Sequence, residues 1–226
     1  AKLDLTDLQI NSTGASLGHG IWLENLDGLC ASGCEAASLN RVNIDTLGTT
    51  SHGLYLSVGA KANVLGSNIT THGNSAIGVY VPGSSSSYSP SLLRLTDTNV
   101  TTDGVKSRGI MLRNNTDSGR VTGALDGVNV LTKGENAAAL VVWEGAKLTG
   151  TQVTAQTIGL NSAALDVGGG SAAKRNTVTL NGGGLTSAQG IGITVDGFSD
   201  ISLSNMNVSG FSGLATAGTL ADATLS

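Results

Sequence analysis

A four-residue phrase, glycine followed by an aliphatic, a large and a second aliphatic residue, recurs along this chain. It reads Gly20-Ile21-Trp22-Leu23, Gly53-Leu54-Tyr55-Leu56, Gly78-Val79-Tyr80-Val81 and Gly109-Ile110-Met111-Leu112. The copies return at intervals of roughly 25 to 34 residues, the spacing of a solenoid, whose units are too small to bury an apolar face except against one another. Side chains alternate across a strand, so each phrase turns its flanking aliphatic pair inward and its middle residue outward. The outward position therefore reads Trp22, Tyr55, Tyr80 and Met111.

A second periodicity sets the register. Aliphatic anchors stand at Ile10, Ile44, Ile69, Val100, Val130, Val153, Leu185 and Val208, and five residues before each stand Leu5, Leu39, Val64, Leu95, Leu125, Leu148, Leu180 and Leu203. Immediately before the anchors come Gln9, Asn43, Asn68, Asn99, Asn129, Gln152, Gly184 and Asn207. Asn and Gly tolerate left-handed backbone, so each coil is expected to turn a corner at this position. Stacked amides are also expected to hydrogen-bond from coil to coil. Ser12, Thr46, Thr71, Thr102 and Thr132 follow the anchors, and then Gly14, Gly48, Gly73, Gly104 and Gly134 mark a second corner.

The unit is thus Leu-x-x-x-Asn-Val-x-Thr-x-Gly followed by Gly-Ile-x-Leu. Three short strands per turn with inward aliphatics describe an all-β, single-stranded parallel β-helix solenoid of about eight coils with no significant α-helix. The glycines exclude a heptad coiled coil, and a leucine-rich repeat would need its Asn and a helical segment. Composition agrees: 33 glycines and 12% charged residues disfavour helices, while 39% hydrophobic residues are too many for a disordered linker. At ~4.8 Å per coil the rod is roughly 40 Å long.

Residues 1–226 read as one β-helix unit, from which segments 24–38, 82–91, 113–124 and 168–176 protrude as loops after the third strand of their coils. The first carries Cys30 and Cys34, the second Ser84-Ser85-Ser86-Ser87 and Tyr88. Later coils drift, the third strand becoming Ala139-Leu140-Val141-Val142, Ala164-Leu165-Asp166-Val167 and Ile191-Gly192-Ile193-Thr194-Val195. The outward column turns polar there. The final residues bring no capping element, so the natural protein is expected to continue beyond Ser226.

Several function classes lose support. A net charge of −4 with scattered Lys and Arg gives no electrostatic footprint for nucleic acid. No apolar run approaches the ~20 residues of a membrane helix, so no membrane insertion of this segment is expected. Cys30 and Cys34 suit a small disulfide ring worth about 2 kcal/mol, with two free thiols in a reducing compartment as the other reading. Two cysteines with His19 and His52 match no zinc pattern, and no metal or cofactor is expected.

Gly18-His19-Gly20 resembles the Gly-His-Gly of pectin-degrading β-helix enzymes, which work with clustered aspartates. The matching positions of later coils read Ser51-His52-Gly53 and Ser107-Arg108-Gly109, so His19 is one variant of a repeat position. Asp97, Asp103, Asp126 and Asp166 occupy different repeat positions, whereas glycoside hydrolysis needs a carboxyl pair. Thr116-Asp117-Ser118-Gly119 reads as a turn rather than a nucleophile site. A non-catalytic role is expected, with partner contact through Trp22, Tyr55, Tyr80 and Met111, joined by Tyr88 and Trp143. The other reading of the column is mutual packing of its side chains on the sheet face.

These repeat phrases, the scarcity of proline and the closely spaced cysteines resemble the passenger region of pertactin-like bacterial autotransporters over nearly the whole chain. The resemblance implies a right-handed β-helix, a secretion signal before this segment, a membrane β-barrel after it, and a place on the bacterial surface or in the medium. It also implies the disulfide between Cys30 and Cys34, a ring small enough to cross the outer membrane. Its implied role is an adhesin, virulence factor or host-signalling ligand that binds a host-cell surface protein or glycan, or self-associates. A polysaccharide-acting enzyme and a structural stalk are the alternatives.

Overall fold

A computed structural model describes residues 3–24, 36–83, 90–114, 121–217 and 221–225. Its strands wind into a parallel β-helix, every strand pair being parallel and one coil apart in sequence. No helix occurs among the described residues.

Each coil contributes to three faces. The first runs through Asp4–Thr6, Ala37–Asn40, Lys61–Leu65, Leu92–Thr96 and Thr122–Asp126; the second through Gln9–Ser12, Asn43–Thr46, Asn68–Thr71, Asn99–Thr102 and Asn129–Thr132. In later coils the two merge into the long bent strands Lys147–Thr157, Asn176–Ser187 and Ser199–Ser209, which joins both faces into one 14-stranded sheet. The third face is an 8-stranded sheet of its own, from Ile21–Glu24 to Ser212–Ala217.

The core is a set of ladders, each apolar residue resting on its counterpart one coil away. Leu39, Val64, Leu95 and Leu125 stack in register, as do Ile44, Ile69, Val100 and Val130, and the third face adds Leu54, Val79, Ile110, Leu140, Leu165 and Ile193. All are buried, and burying each contributes about 1.5–3 kcal/mol.

The first corner falls two residues earlier than the expected Asn position. Asp7, Arg41, Gly66, Asp97, Gly127, Gly182 and Asn205 take positive φ there, whereas in the sixth coil Gln152 takes it at the expected position itself. A single left-handed residue bends the chain without interrupting the ladder, because its N–H still reaches the neighbouring coil: Arg41 N donates to Leu65 O at 2.9 Å and Asp97 N to Asp126 O at 2.9 Å. The asparagines consequently open the second strand and point outward. Their amides form a ladder, Asn68 Nδ2 donating to Asn43 Oδ1 at 2.8 Å, Asn99 to Asn68 at 2.9 Å and Asn129 to Asn99 at 3.1 Å.

Register in the sixth coil also differs from expectation. Val130 pairs with Ala155 rather than Val153, and Leu148 pairs with Gly123 rather than Leu125. The offset is two residues, which preserves the inward face, so both alignments satisfy the apolar pattern and only the backbone pairing distinguishes them.

At the second corner the coils touch backbone to backbone. A Cβ on Gly48 would lie 2.1 Å from Gly14 O, on Gly73 1.9 Å from Gly48 O, on Gly104 2.1 Å from Gly73 O, and on Gly134 1.8 Å from Gly104 O. The adjoining inner wall is polar. Thr46 Oγ1 donates to Ser51 O at 3.1 Å, Thr132 Oγ1 to Ala137 O at 2.9 Å, and Ser162 Oγ to Gly134 O at 3.1 Å.

The two corners respond differently to substitution. Gly104→Ala, meeting a carbonyl, is expected to cost at least about 3 kcal/mol. Gly66→Ala, which meets only the Arg41 side chain at 3.6 Å and sits at a left-handed position that Asp7, Arg41 and Asp97 also adopt, is expected to cost about 1–2 kcal/mol. Thermal or denaturant unfolding of the two variants checks the order.

Candidate functional site

The outer surface of the third face carries the expected column. Trp22 pairs with Tyr55, Tyr55 with Tyr80, Tyr80 with Met111, Met111 with Val141, Val141 with Asp166 and Asp166 with Thr194. Three residues before each middle position lies a flanking row containing His19, His52, Ile77 and Arg108; two residues after it lies another containing Glu24, Ser57, Pro82, Arg113 and Trp143.

In the first three coils these rows assemble five rings. His19, His52 and Tyr55 stack nearly parallel, His19 to His52 at 4.8 Å between centroids and His19 to Tyr55 at 5.1 Å. Trp22 stands edge-on to Tyr55 at 5.5 Å and to His19 at 5.6 Å, and Tyr80 edge-on to Tyr55 at 5.4 Å and to His52 at 5.2 Å. Edge-on contacts suit the positive ring edge and negative ring face. Trp22 is 59% exposed and its indole N–H donates to Ser57 Oγ at 3.1 Å.

The histidines were legible in the sequence as a repeat position, but their bonding was not. His19 Nδ1 accepts the N–H of His52 at 3.0 Å, and His52 Nδ1 accepts the N–H of Ile77 at 3.1 Å. An accepting nitrogen carries no proton, so each neutral ring holds its proton on Nε2. Burial, assisted by the charge of His19, lowers the His52 pKa to about 4, and burial lowers that of His19 as well. Burial raises the Tyr55 pKa, with Tyr80 and Glu24 adding to it. The cluster is therefore uncharged near neutral pH.

The next two coils differ. Met111, read in the sequence as part of an outward strip, is only 4% exposed; with Ile77 and Val141 it forms a small apolar cluster outside the main core, covered by Tyr80, Ala138 and Trp143. Arg108 lies over the Trp143 ring at 5.4 Å, a cation–π contact. Arg113 makes a two-pronged pair with Glu144, at 3.0 and 2.8 Å. Asp166 beyond them has its pKa raised by burial, a shift that Arg108 opposes.

Sequence reasoning missed a polar cluster at the second corner. His72 lies between two acids, with Nε2 3.0 Å from Asp45 Oδ1 and Nδ1 2.6 Å from Asp103 Oδ2, and Lys133 Nζ lies 2.9 Å from Asp103 Oδ1. The available signal was the residue after the inward threonine, which reads Leu47, His72, Asp103, Lys133 and Ile158 in successive coils. Among the described residues, no group of three His, Cys, Asp or Glu could hold a metal ion. No helix among them is long and apolar enough to cross a membrane. Cys30, Cys34, Tyr88 and the turn at residues 116–119 lie outside the described residues. Comparison with family models, curated proteins and solved structures finds no match for this chain.

Two measurements check this face. The unfolded chain binds a proton to His52 near pH 6.5, whereas the folded chain resists it down to about 4. The stability that neutral His52 supports is present above pH 6.5 and is lost as pH falls through about 4, up to about 3 kcal/mol. His52→Asn is expected to remove that part of the pH dependence, read from unfolding at pH 7 and pH 4. Met111→Ala is expected to cost about 2–4 kcal/mol, whereas Trp22→Ser, which loses its edge-on ring contacts but little burial, is expected to cost about 1 kcal/mol; calorimetry separates the two.

Proposed function

We propose that this chain is a non-catalytic passenger segment of an autotransporter, displayed on a bacterial surface or released from it, which binds a host-cell or bacterial partner through the outer surface of its third face. The observation that carries this reading is the five-ring cluster ending in the exposed Trp22. Contiguous aromatic surface is the kind of surface that partners cover, and aromatic residues are enriched where interfaces bury most area.

Further support comes from the distribution of the acids. Asp97 sits in the first corner, Asp103 is engaged by His72 and Lys133, Asp126 is bonded by Thr151, and Asp166 lies on the third face. Asp45 and Asp103 do lie near each other, but both are engaged by His72 and Asp103 also by Lys133, which favours a structural ion cluster over the free acid and base that polysaccharide cleavage requires. The passenger assignment rests on the repeat phrases and the β-helix architecture.

The test is saturable binding of the labelled chain to host epithelial cells and to bacterial cells. Trp22→Ser/Tyr55→Ser protein with wild-type circular dichroism is expected to bind at least about tenfold more weakly. Unchanged binding would move the site elsewhere on the rod, and absence of saturable binding to either cell type would favour a structural stalk.

A further inference from the structure

Resting on the reading above, we infer that the ring cluster of the first three coils is a site for a short, neutral oligosaccharide, stacked on Trp22 and extended along the rod axis. Trp22 presents a flat surface that is held before anything binds. Its N–H is tethered to Ser57 Oγ at 3.1 Å, and its ring is braced edge-on by Tyr55 and His19 at 77°. A braced aromatic ring loses little freedom on binding. A hexopyranose offers the matching shape: an apolar face of C–H groups with a polar rim.

The polar rim meets neutral donors. With Nδ1 of both histidines occupied by backbone N–H groups, their Nε2–H groups are left to donate, and burial keeps the Tyr55 hydroxyl protonated. Charge narrows the ligand further. On this face of the first three coils the described flanking and middle positions are His19, Trp22, Glu24, His52, Tyr55, Ser57, Ile77, Tyr80 and Pro82, so the formal charge there is Glu24 alone. An anionic glycan would find no counter-charge. Both arginines of the next coil are engaged elsewhere, Arg113 with Glu144 and Arg108 over the Trp143 ring.

Size and spacing point the same way. Successive middle-row rings lie 5.5 and 5.4 Å apart, one per coil, close to the length of one sugar unit in an extended chain. Three coils span only about 10 Å along the axis, and the next middle-row residues, Met111 and Val141, are buried. A stable protein footprint covers about 800 Å² per partner. The ring cluster is the smaller kind of site.

The experiment titrates the chain with short β-linked gluco- and galacto-oligosaccharides and with a sulfated oligosaccharide. The chain has 2 tryptophans, so a Trp143→Phe background leaves Trp22 as the reporter. Saturable change in Trp22 fluorescence with a neutral oligosaccharide is expected, with affinity at least about tenfold weaker in Trp22→Ala, read by calorimetry in the Trp143-containing protein. Trp22→Phe is expected to retain most of the affinity. The inference is overturned if no neutral oligosaccharide saturates the signal, if the sulfated one binds more tightly, or if Trp22→Ala binds as the wild type does. Cell binding that survives periodate oxidation of surface glycans also overturns it while leaving the partner-binding reading intact. Oligosaccharide binding without cell binding upholds the site and removes the cell-surface reading.

Discussion

The close backbone contact at the glycine corner is the constraint on which the rest of this structure depends. From Gly48 to Gly159, each glycine of that column sits so near the carbonyl of the previous coil's glycine that no side chain fits between them. Coils held at that separation keep their strands within hydrogen-bonding distance on all three faces. They also bring inward aliphatics into van der Waals contact, where many small dispersion gains add up. The glycine column and the apolar ladders are therefore two views of one spacing.

That spacing decides what polar groups can do at the corners. Hydroxyls of Thr46, Thr132 and Ser162 bond main-chain carbonyls at the inner wall, whereas those of Thr71 and Thr102 in the same row are buried without a partner. Outside, the same repeat aligns asparagine amides and sets His72 between acids of two neighbouring coils. A residue at a given repeat position meets its counterparts one coil away, and its chemistry depends on what those counterparts are.

The third face illustrates this. Its middle row begins with Trp22, Tyr55 and Tyr80, whose flanking row supplies histidines, and the result is a rigid, uncharged ring cluster open to solvent at Trp22. Two coils later the flanking rows supply Arg108 and Trp143, and the same middle row is covered. One face thus offers a surface at one end and a small second core further along.

Much of the fold was legible in the sequence, because a repeat states each contact many times. The inward ladders, the three strands per coil, the glycine corner and the amide stack all follow from periodicity and side-chain alternation. Outside the sixth coil the left-handed corner was displaced by two residues because Asp7, Arg41 and Gly66 carry no shared signature for that conformation, which they adopt while their N–H groups keep hydrogen bonds to the next coil. The sixth-coil register was ambiguous because an offset of two residues leaves the same side chains inside. By itself, then, the sequence determined the architecture and the order of side chains along each row. Only the tertiary structure decided which outward residues remain accessible, which histidine nitrogen bears the proton and which charges neutralise each other, since these depend on contacts between rows that periodicity along one row does not encode.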